Sequence, residues 1–220
     1  MASIFDVIGP IMIGPSSSHT AGAVRLGRMA SCIFQGTPET IEMVLYGSFA
    51  KTYRGHGTDK ALLAGLLGLA EDDERIRSAK ALAKKKGLVY TFVESDKDMG
   101  HPNVVTFHMA KAGEHPVSVT GRSLGGGRIL ITDIDGQNVA ISGDEFTMVI
   151  PHQDQPGMIS KVTGLLGAGH INVSNMQVFR KVKNELAVMV IETDTSVDET
   201  IVDLIRHVAG VVDVMTFPKL

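Results

Sequence analysis

Three serines, a histidine and a threonine occupy residues 16–20, directly after Gly14-Pro15. Serine is a favoured N-cap residue and apolar residues follow at helical spacing, so a helix is predicted to begin near Ser18 to Thr20. The first N–H groups of such a helix and the positive end of its dipole attract carboxylates and phosphates. The segment therefore predicts an anion pocket, and the alternative is a plain helix cap.

A second polar cluster, residues 52–60, places His56 between two glycines. Glycine allows the backbone to approach a ligand closely, and Thr58 or Asp59 can cap the helix expected next. That helix is apolar or small on nearly every side, so we expect it to be buried and to hold its first residues firmly. His56 would then be a second histidine at a helix start. The alternative is a solvated histidine in a loop.

The elements before residue 143 predict a mixed α/β domain. Acidic residues at 71–74 and basic residues before Gly87 predict a solvent-facing helix. Asp135-Gly136 predicts a hairpin turn, and the glycines at 125–127 predict a loop, a bulge, an amide nest or a place where another chain approaches. The predicted strands are residues 41–48, 88–94, 104–109, 116–120, 128–134 and 138–142.

The pattern restarts after Ser142-Gly143, which divides the chain into domains 1–143 and 144–220. The second domain is predicted to fold in the order βαββαβ, as a four-stranded antiparallel sheet with two helices on one face. The fold class of the whole chain is therefore α+β, with a ferredoxin-like second domain. Its predicted elements are residues 146–151, 158–168, 171–179, 186–192, 198–208 and 211–216.

Composition excludes several classes of protein. The net charge of -3, without a long basic block, gives no electrostatic reason to expect nucleic acid as a partner. The longest apolar run, residues 61–70, is too short to cross a bilayer, and no charged and apolar leader is expected at the start. The single cysteine, Cys32, excludes an internal disulfide, fits the cytoplasm, and by itself holds no metal or iron–sulfur cluster.

The segments 153–159 and 169–173 resemble the ACT domain, a family of amino-acid-sensing modules, over about the last third of the chain. The resemblance implies an effector bound at the interface of a homodimer, held by the Pro-Gly loop and by an asparagine. A helix start offers N–H groups to the effector's carboxylate, and carboxylate or amide oxygens can accept from its ammonium group. The implied effector contacts are Asp154, Gly157, Met158, Ile159 and Asn172.

The segments 14–20, 55–60, 101–103 and 123–127 resemble the β chains of bacterial iron–sulfur-dependent L-serine dehydratases. With the ACT segment, the resemblance spans essentially the whole chain. It implies conversion of L-serine to pyruvate and ammonia, with a [4Fe-4S] cluster as Lewis acid for the departing hydroxyl. Such a cluster requires three or four thiolates, so the resemblance places it on a separate α chain. The first domain is also similar to the allosteric substrate-binding domain of some phosphoglycerate dehydrogenases.

Loss of water from serine requires a base for the α-proton, and histidine is the obvious supplier. We hypothesise that His19 and His56 complete the active site of the α chain and that the isolated chain is inactive. The rival hypotheses are a purely regulatory module that binds an amino acid or another anion, and an assembly platform. The candidate substrate contacts are Ser16, Ser17, Ser18, Thr20, Thr58, Asp59 and Lys60.

Overall fold

The computed structural model describes residues 11–220, so the predicted absence of a leader concerns a segment outside the described residues. The helices are α1 (Gly22–Phe34), α2 (Gly47–His56), α3 (Thr58–Leu66), α4 (Ala79–Lys85), α5 (Met158–Ala168) and α6 (Glu199–Arg206). The strands are β1 (Thr40–Tyr46), β2 (Val89–Ser95), β3 (Asn103–Ala110), β4 (Val117–Gly125), β5 (Arg128–Ile134), β6 (Gln137–Ile141), β7 (Phe146–Gln153), β8 (Val173–Arg180), β9 (Leu186–Thr193) and β10 (Met215–Phe217).

The described residues form two compact units, the first ending at residue 136 and the second covering residues 137–220. The predicted domain boundary after residue 143 lies a few residues further along and stays a prediction. Among the described residues, no helix has the length and apolar character needed to cross a membrane.

The first sheet has the strand order β2-β1-β3-β4-β5-β6. Strands β1 and β2 are parallel, whereas β3 pairs antiparallel with both β1 and β4. Ile41, Met43 and Leu45 alternate along β1 and are all buried, as expected for the face of a strand that is covered by helices. Helix α2 follows β1 directly, so it begins at the carboxyl end of a buried strand.

Helices α1 and α3 cross in close contact because glycines meet at the crossing. A Cβ atom on Gly27 would lie 2.3 Å from the carbonyl oxygen of Leu62, and one on Gly65 would lie 2.0 Å from that of Val24. Since these neighbours are backbone atoms, they cannot move aside as a flexible side chain would. The crossing therefore fixes the position of α1 and of the polar segment that precedes it.

A glycine-containing turn and a glycine within strand β4 shape the end of the first sheet. Asp135 and Gly136 both have positive φ, at 50° and 74°, which suits the hairpin turn predicted there. Strand β4 continues to Gly125, so the predicted strand 116–120 was too short. Gly121 lies within β4, where a Cβ would meet the side chains of Leu26 and Ile131 at 2.6 and 2.8 Å, so close packing explains a glycine that weakened the strand pattern.

The second unit contains an antiparallel sheet of order β10-β7-β9-β8. Its core joins alternate residues of β7 and β9 to residues of both α5 and α6, which places the two helices on one face. This confirms the predicted βαββαβ order and the α+β fold class. The core residues are Met148, Ile150, Val162, Leu166, Met189, Ile191, Val202, Ile205 and Val214.

Two helix predictions were wrong in detail. Helix α2 was not predicted, because glycines at both ends and several β-branched or aromatic residues weaken its helical pattern. The surface helix expected over residues 71–87 is a 3-10 turn, Glu74–Ser78, followed by α4. Asp73 caps the 3-10 turn through its side chain, so the acidic start acts as predicted, although the α-helix begins later.

Candidate active site in the first unit

The polar segment at residues 16–20 forms a π-turn, Ser17–Ala21, that runs directly into α1. Ser16 is its N-cap: the Ser16 Oγ accepts a hydrogen bond from the His19 N–H at 3.2 Å. The Ser16 carbonyl also accepts from the Thr20 N–H at 2.8 Å, so Ser16 binds two of the N–H groups that were expected to hold an anion. Single π-turns within helices occur often at functional sites.

The imidazole of His19 is held at both ring nitrogens by serine hydroxyls. Its Nδ1 lies 3.0 Å from the Ser18 Oγ, and its Nε2 lies 3.1 Å from the Ser48 Oγ at the start of α2. The Phe49 ring packs edge-on against it, at 5.3 Å between centroids. Ser16 adds a further hydroxyl, 3.3 Å from that of Ser18.

His56 lies beside His19, with 4.8 Å between ring centroids. The prediction that His56 stands at a helix start was wrong, because it is the last residue of α2. Its Nδ1 donates to the carbonyl oxygen of Thr52 one turn earlier, at 3.3 Å, and its side chain is exposed. The two histidine rings are therefore adjacent, as the hypothesis requires, although His56 lies at the end of a helix and not at its start. We call Ser16, Ser18, His19, Ser48 and His56 the serine–histidine site.

Burial of the imidazole lowers the pKa of His19, and the neighbouring His56 lowers that pKa further. Both causes disfavour the charged imidazolium. His19 is therefore neutral near pH 7, with one ring nitrogen able to accept a proton. This is the protonation state that a general base needs.

The glycine-rich tip between β4 and β5 meets the π-turn. The Gly126 N–H donates to the Ser17 Oγ at 3.3 Å. Gly125, Gly126 and Gly127 all have positive φ, which suits the loop that was one of the predicted alternatives. Ser123 is fully buried in β4, and its Oγ lies where a Cβ on Gly22 would be only 2.1 Å away, so the hairpin and α1 are in close contact.

Besides Ser17, whose hydroxyl accepts from the Gly126 N–H, four of the predicted substrate contacts lie outside the serine–histidine site. Thr20 is 3% exposed and Thr58 is fully buried. Asp59 is also buried, and its carboxylate forms an ion pair with Lys80 and accepts from the Lys60 N–H. The Lys60 side chain is exposed. Their contact with substrate stays a prediction, which the burial of three of the four side chains does not favour.

Ser48 is the site residue that the sequence analysis missed. Residues 41–48 were assigned to one strand, which hid the end of that strand and the start of α2. The available signal was a Gly-Ser pair after a buried strand, because polar groups at the carboxyl ends of parallel strands commonly face ligands. The His101-Pro102-Asn103 segment contacts the start of α2, since the Pro102 carbonyl accepts from the Ser48 N–H at 2.6 Å.

In the second unit, Asp154 is bound within its own chain. Its Oδ2 accepts from the Asn184 N–H at 3.0 Å and from the Arg180 guanidinium at 2.9 Å. The Asn184 N–H and Arg180 together hold the pKa of the Asp154 carboxyl below its ordinary value. Asp154 therefore lies at the end of the sheet where β8 ends and β9 begins.

The other effector candidates are divided between the two ends of the second unit. Asn172 directly precedes β8 and donates to the Asp194 carboxylate at 2.7 Å. Because β8 has eight residues and Arg180 is its last, Asn172 and Asp154 are separated by roughly 25 Å. At the end that holds Asp154, Gly157 has positive φ before α5, Met158 is buried and Ile159 is exposed. One small ligand cannot contact Asp154 and Asn172 of the same chain.

The residues of this chain do not fit an iron–sulfur cluster. Cys32 is its single cysteine and is half-buried, and burial raises the pKa of its thiol, which disfavours the thiolate that binds iron. Within residues 11–220, no group of three or more histidine, cysteine or acidic side chains is arranged to hold a metal ion.

The two folds define a chain that joins a mixed α/β domain to a ferredoxin-like module. The family model described as "Serine dehydratase beta chain" matches residues 3–133, and the one described as "ACT domain" matches residues 149–210. The chain therefore belongs to the serine dehydratase β-chain family and carries an ACT domain. These matches confirm both resemblances stated above.

Full-length relatives agree with this assignment. A "Probable L-serine dehydratase, beta chain" of Bacillus subtilis is 43% identical over 213 residues, which cover 96% of each protein. An "L-serine dehydratase, beta chain" of Peptoniphilus asaccharolyticus is 37% identical over 200 residues, which cover 90% of each. A "D-3-phosphoglycerate dehydrogenase" of Synechocystis is 28% identical over 197 residues, which cover 88% of this chain but 35% of that protein.

Proposed function

We propose that this chain is the β chain of a cytoplasmic L-serine dehydratase, which converts L-serine to pyruvate and ammonia together with a separate α chain. The observation that carries the proposal is the His19 imidazole, held by serine hydroxyls at both ring nitrogens and paired with His56. The names of the two β-chain relatives and the family match support the same activity.

The reaction removes the α-proton and the β-hydroxyl of serine, and the resulting enamine is hydrolysed to pyruvate and ammonia. His19 takes the α-proton, since burial and His56 keep its ring unprotonated. The hydroxyls of Ser16 and Ser18 bind the substrate carboxylate beside that ring. His56 keeps His19 in its neutral form and forms the exposed side of the site.

We further propose that the [4Fe-4S] cluster implied by the resemblance is carried by the α chain. One cysteine is too few for a cluster that requires three or four thiolates. The exposure of His56 supports an active site that a second chain closes. Without such a chain, water would reach the base, His19, through the side of the site that His56 forms.

For the ACT domain we propose a homodimer that senses an amino acid, with L-serine as the first candidate. Asp154 and Asn172 lie at opposite ends of β8, so both can contact one effector only if they come from different copies. In a two-fold dimer, the end of the sheet that holds Asp154 in one copy can lie beside the end that holds Asn172 in the other copy. Each dimer would then hold two equivalent effector sites.

The decisive experiment measures pyruvate formation by the assembled α–β complex with His19→Ala in this chain. Loss of a general base is expected to reduce turnover by at least about a hundredfold. His108→Ala is the matched control, because His108 is exposed on β3 and lies outside the site. Near-normal turnover by an intact His19→Ala complex would overturn the catalytic role. Tight L-serine binding by the first unit of the isolated chain would favour a purely regulatory module instead.

A further inference from the structure

We infer that Ser48 is a positioning residue for the reaction: its hydroxyl fixes the His19 ring and accommodates the proton that the ring receives. The inference rests on the proposed function, because it gives Ser48 a role through His19. The supporting geometry is the 3.1 Å contact between the Ser48 Oγ and the His19 Nε2.

The contact joins two separate elements of the first unit. Ser18 directly precedes His19 in the π-turn, so its contact with the ring depends only on the conformation of that turn. Ser48 is 29 residues away in sequence, so its contact depends on how α2 packs against the turn. With serine hydroxyls at both ring nitrogens, the ring plane is set by α2 as well as by its own turn. Phe49, the next residue of α2, packs edge-on against the same ring and limits its tilt.

The backbone that carries Ser48 is itself fixed by the loop before β3. The Pro102 carbonyl accepts from the N–H groups of Ser48 and Phe49, at 2.6 and 3.3 Å. Gly47 has φ of 57°, and a Cβ there would lie 2.6 Å from the same carbonyl oxygen. Only glycine fits this position without strain, so the start of α2 is locked against Pro102. The Ser48 hydroxyl is therefore presented at a fixed place.

A hydroxyl suits both protonation states of His19. A neutral imidazole has one N–H donor and one acceptor nitrogen, whereas imidazolium has two N–H donors. The Ser48 Oγ can donate to an unprotonated Nε2 and, after proton uptake, can accept from the Nε2–H. Alanine at this position would leave that N–H of the imidazolium without its partner in a half-buried site. Because an unpaired charged donor costs more than an unpaired acceptor, Ser48→Ala should lower the pKa of His19 further.

The first test follows the His19 ring directly in the full chain, by nitrogen NMR of ¹⁵N-labelled histidine across a pH series. The His19 signal is assigned by its disappearance in His19→Gln. In Ser48→Ala we expect His19 to titrate at lower pH than in the wild type and its mixture of tautomers to change. Ser48→Thr, which keeps the hydroxyl, should restore the wild-type titration. An unchanged His19 titration and tautomer in Ser48→Ala would overturn the inference.

The second test measures the α–β complex. Ser48→Ala should lower kcat on the order of tenfold, as expected for loss of a hydrogen bond to a group that becomes charged, and should leave KM nearly unchanged. The acid limb of the rate profile should move to lower pH, and Ser48→Thr should reverse both changes. Ser31→Ala, at a half-buried serine of α1 outside the site, is the control. A kcat equal to that of the control would overturn the inference.

The two proposals fail in different ways. If the α–β complex with His19→Ala retains normal turnover, the catalytic role proposed for His19 is wrong, whatever Ser48 does to the His19 signal. If His19→Ala abolishes turnover but Ser48→Ala changes neither the rate profile nor the His19 titration, only the role of Ser48 is wrong.

Discussion

The two candidate sites of this chain are built in opposite ways. In the first unit, residues from the π-turn and from both ends of α2 surround one imidazole, so a single copy assembles the serine–histidine site. In the second unit, the candidate effector residues lie at the two ends of β8, and each is bound to a neighbour in its own chain. The serine–histidine site can be tested by single variants of one chain, whereas the effector site proposed across a dimer interface requires pairs of chains.

The first site depends on the close crossing of α1 and α3, so disturbing this crossing should have the largest effect. In Gly65→Ala the new Cβ would lie 2.0 Å from the Val24 carbonyl oxygen, and the two helices must separate. We expect the free energy of unfolding of the first unit to fall by about 3 kcal/mol. Tyrosine fluorescence during urea unfolding measures this unit alone, because all three tyrosines, Tyr46, Tyr53 and Tyr90, belong to it.

The second unit provides the matched control for that change. Gly164 is an exposed glycine within α5, and a Cβ there would meet nothing within 4 Å. Gly164→Ala should therefore stabilise its helix by about 0.5–1 kcal/mol, as measured by circular dichroism. If Gly65→Ala is as well tolerated as Gly164→Ala, the first site does not depend on the close crossing.

Effector binding should be lost when either Asp154 or Asn172 is replaced, and it should be regained in part in a mixed dimer of the two variants. We expect neither Asp154→Ala nor Asn172→Ala alone to bind L-serine in calorimetric titrations, because each variant damages both sites of a two-fold dimer. A purified mixed dimer of the two variants should bind at half the wild-type stoichiometry, since one of its sites is intact. Ser160→Ala, at an exposed position of α5, is the control.

Two results would remove the contrast between the units. Normal L-serine binding by Asp154→Ala would exclude that carboxylate from the site. A mixed dimer that binds no L-serine would show that Asp154 and Asn172 do not act across a dimer interface.

Removing the cap of the π-turn should have a moderate effect. Ser16→Ala removes the oxygen that accepts from the His19 N–H, and the expected loss of stability is about 1 kcal/mol in the tyrosine-monitored unfolding of the first unit. Ser16→Asp keeps an acceptor at this position and should restore most of that loss. Equal stability of Ser16→Ala and the wild type would show that the turn is held by its contacts with α2 and the hairpin instead.

The smallest expected effect is a change in pH dependence. His56 lowers the pKa of His19, so His56→Gln should raise that pKa and move the acid limb of the turnover profile to higher pH. The same depressed pKa affects stability: below the ordinary histidine pKa of about 6.5 the unfolded chain binds the proton more readily, so stability falls as pH drops through that region. His56→Gln should reduce this fall. An unmoved limb would show that burial alone sets the pKa of His19.

Much of this molecule follows from local sequence pattern. Helix α5 was predicted over the same residues, 158–168, and α6 was predicted from residue 198, where the Asp198 side chain caps the helix by accepting from the Thr200 N–H. Such features depend on residue period and on hydrogen bonds between near neighbours, which a sequence displays directly. The exceptions include α2, which was missed, and β4, which was predicted too short, since glycines weakened both patterns.

The sequence by itself determined the order of the elements in the second unit, the capped turn that carries His19, and a cysteine content too low for an iron–sulfur cluster. The tertiary structure alone placed Ser48 and His56 beside His19, buried Asp59 against Lys80, and separated Asp154 from Asn172. The reason is physical: contacts between residues distant in sequence depend on how helices and strands pack together, and that packing is a property of the whole core.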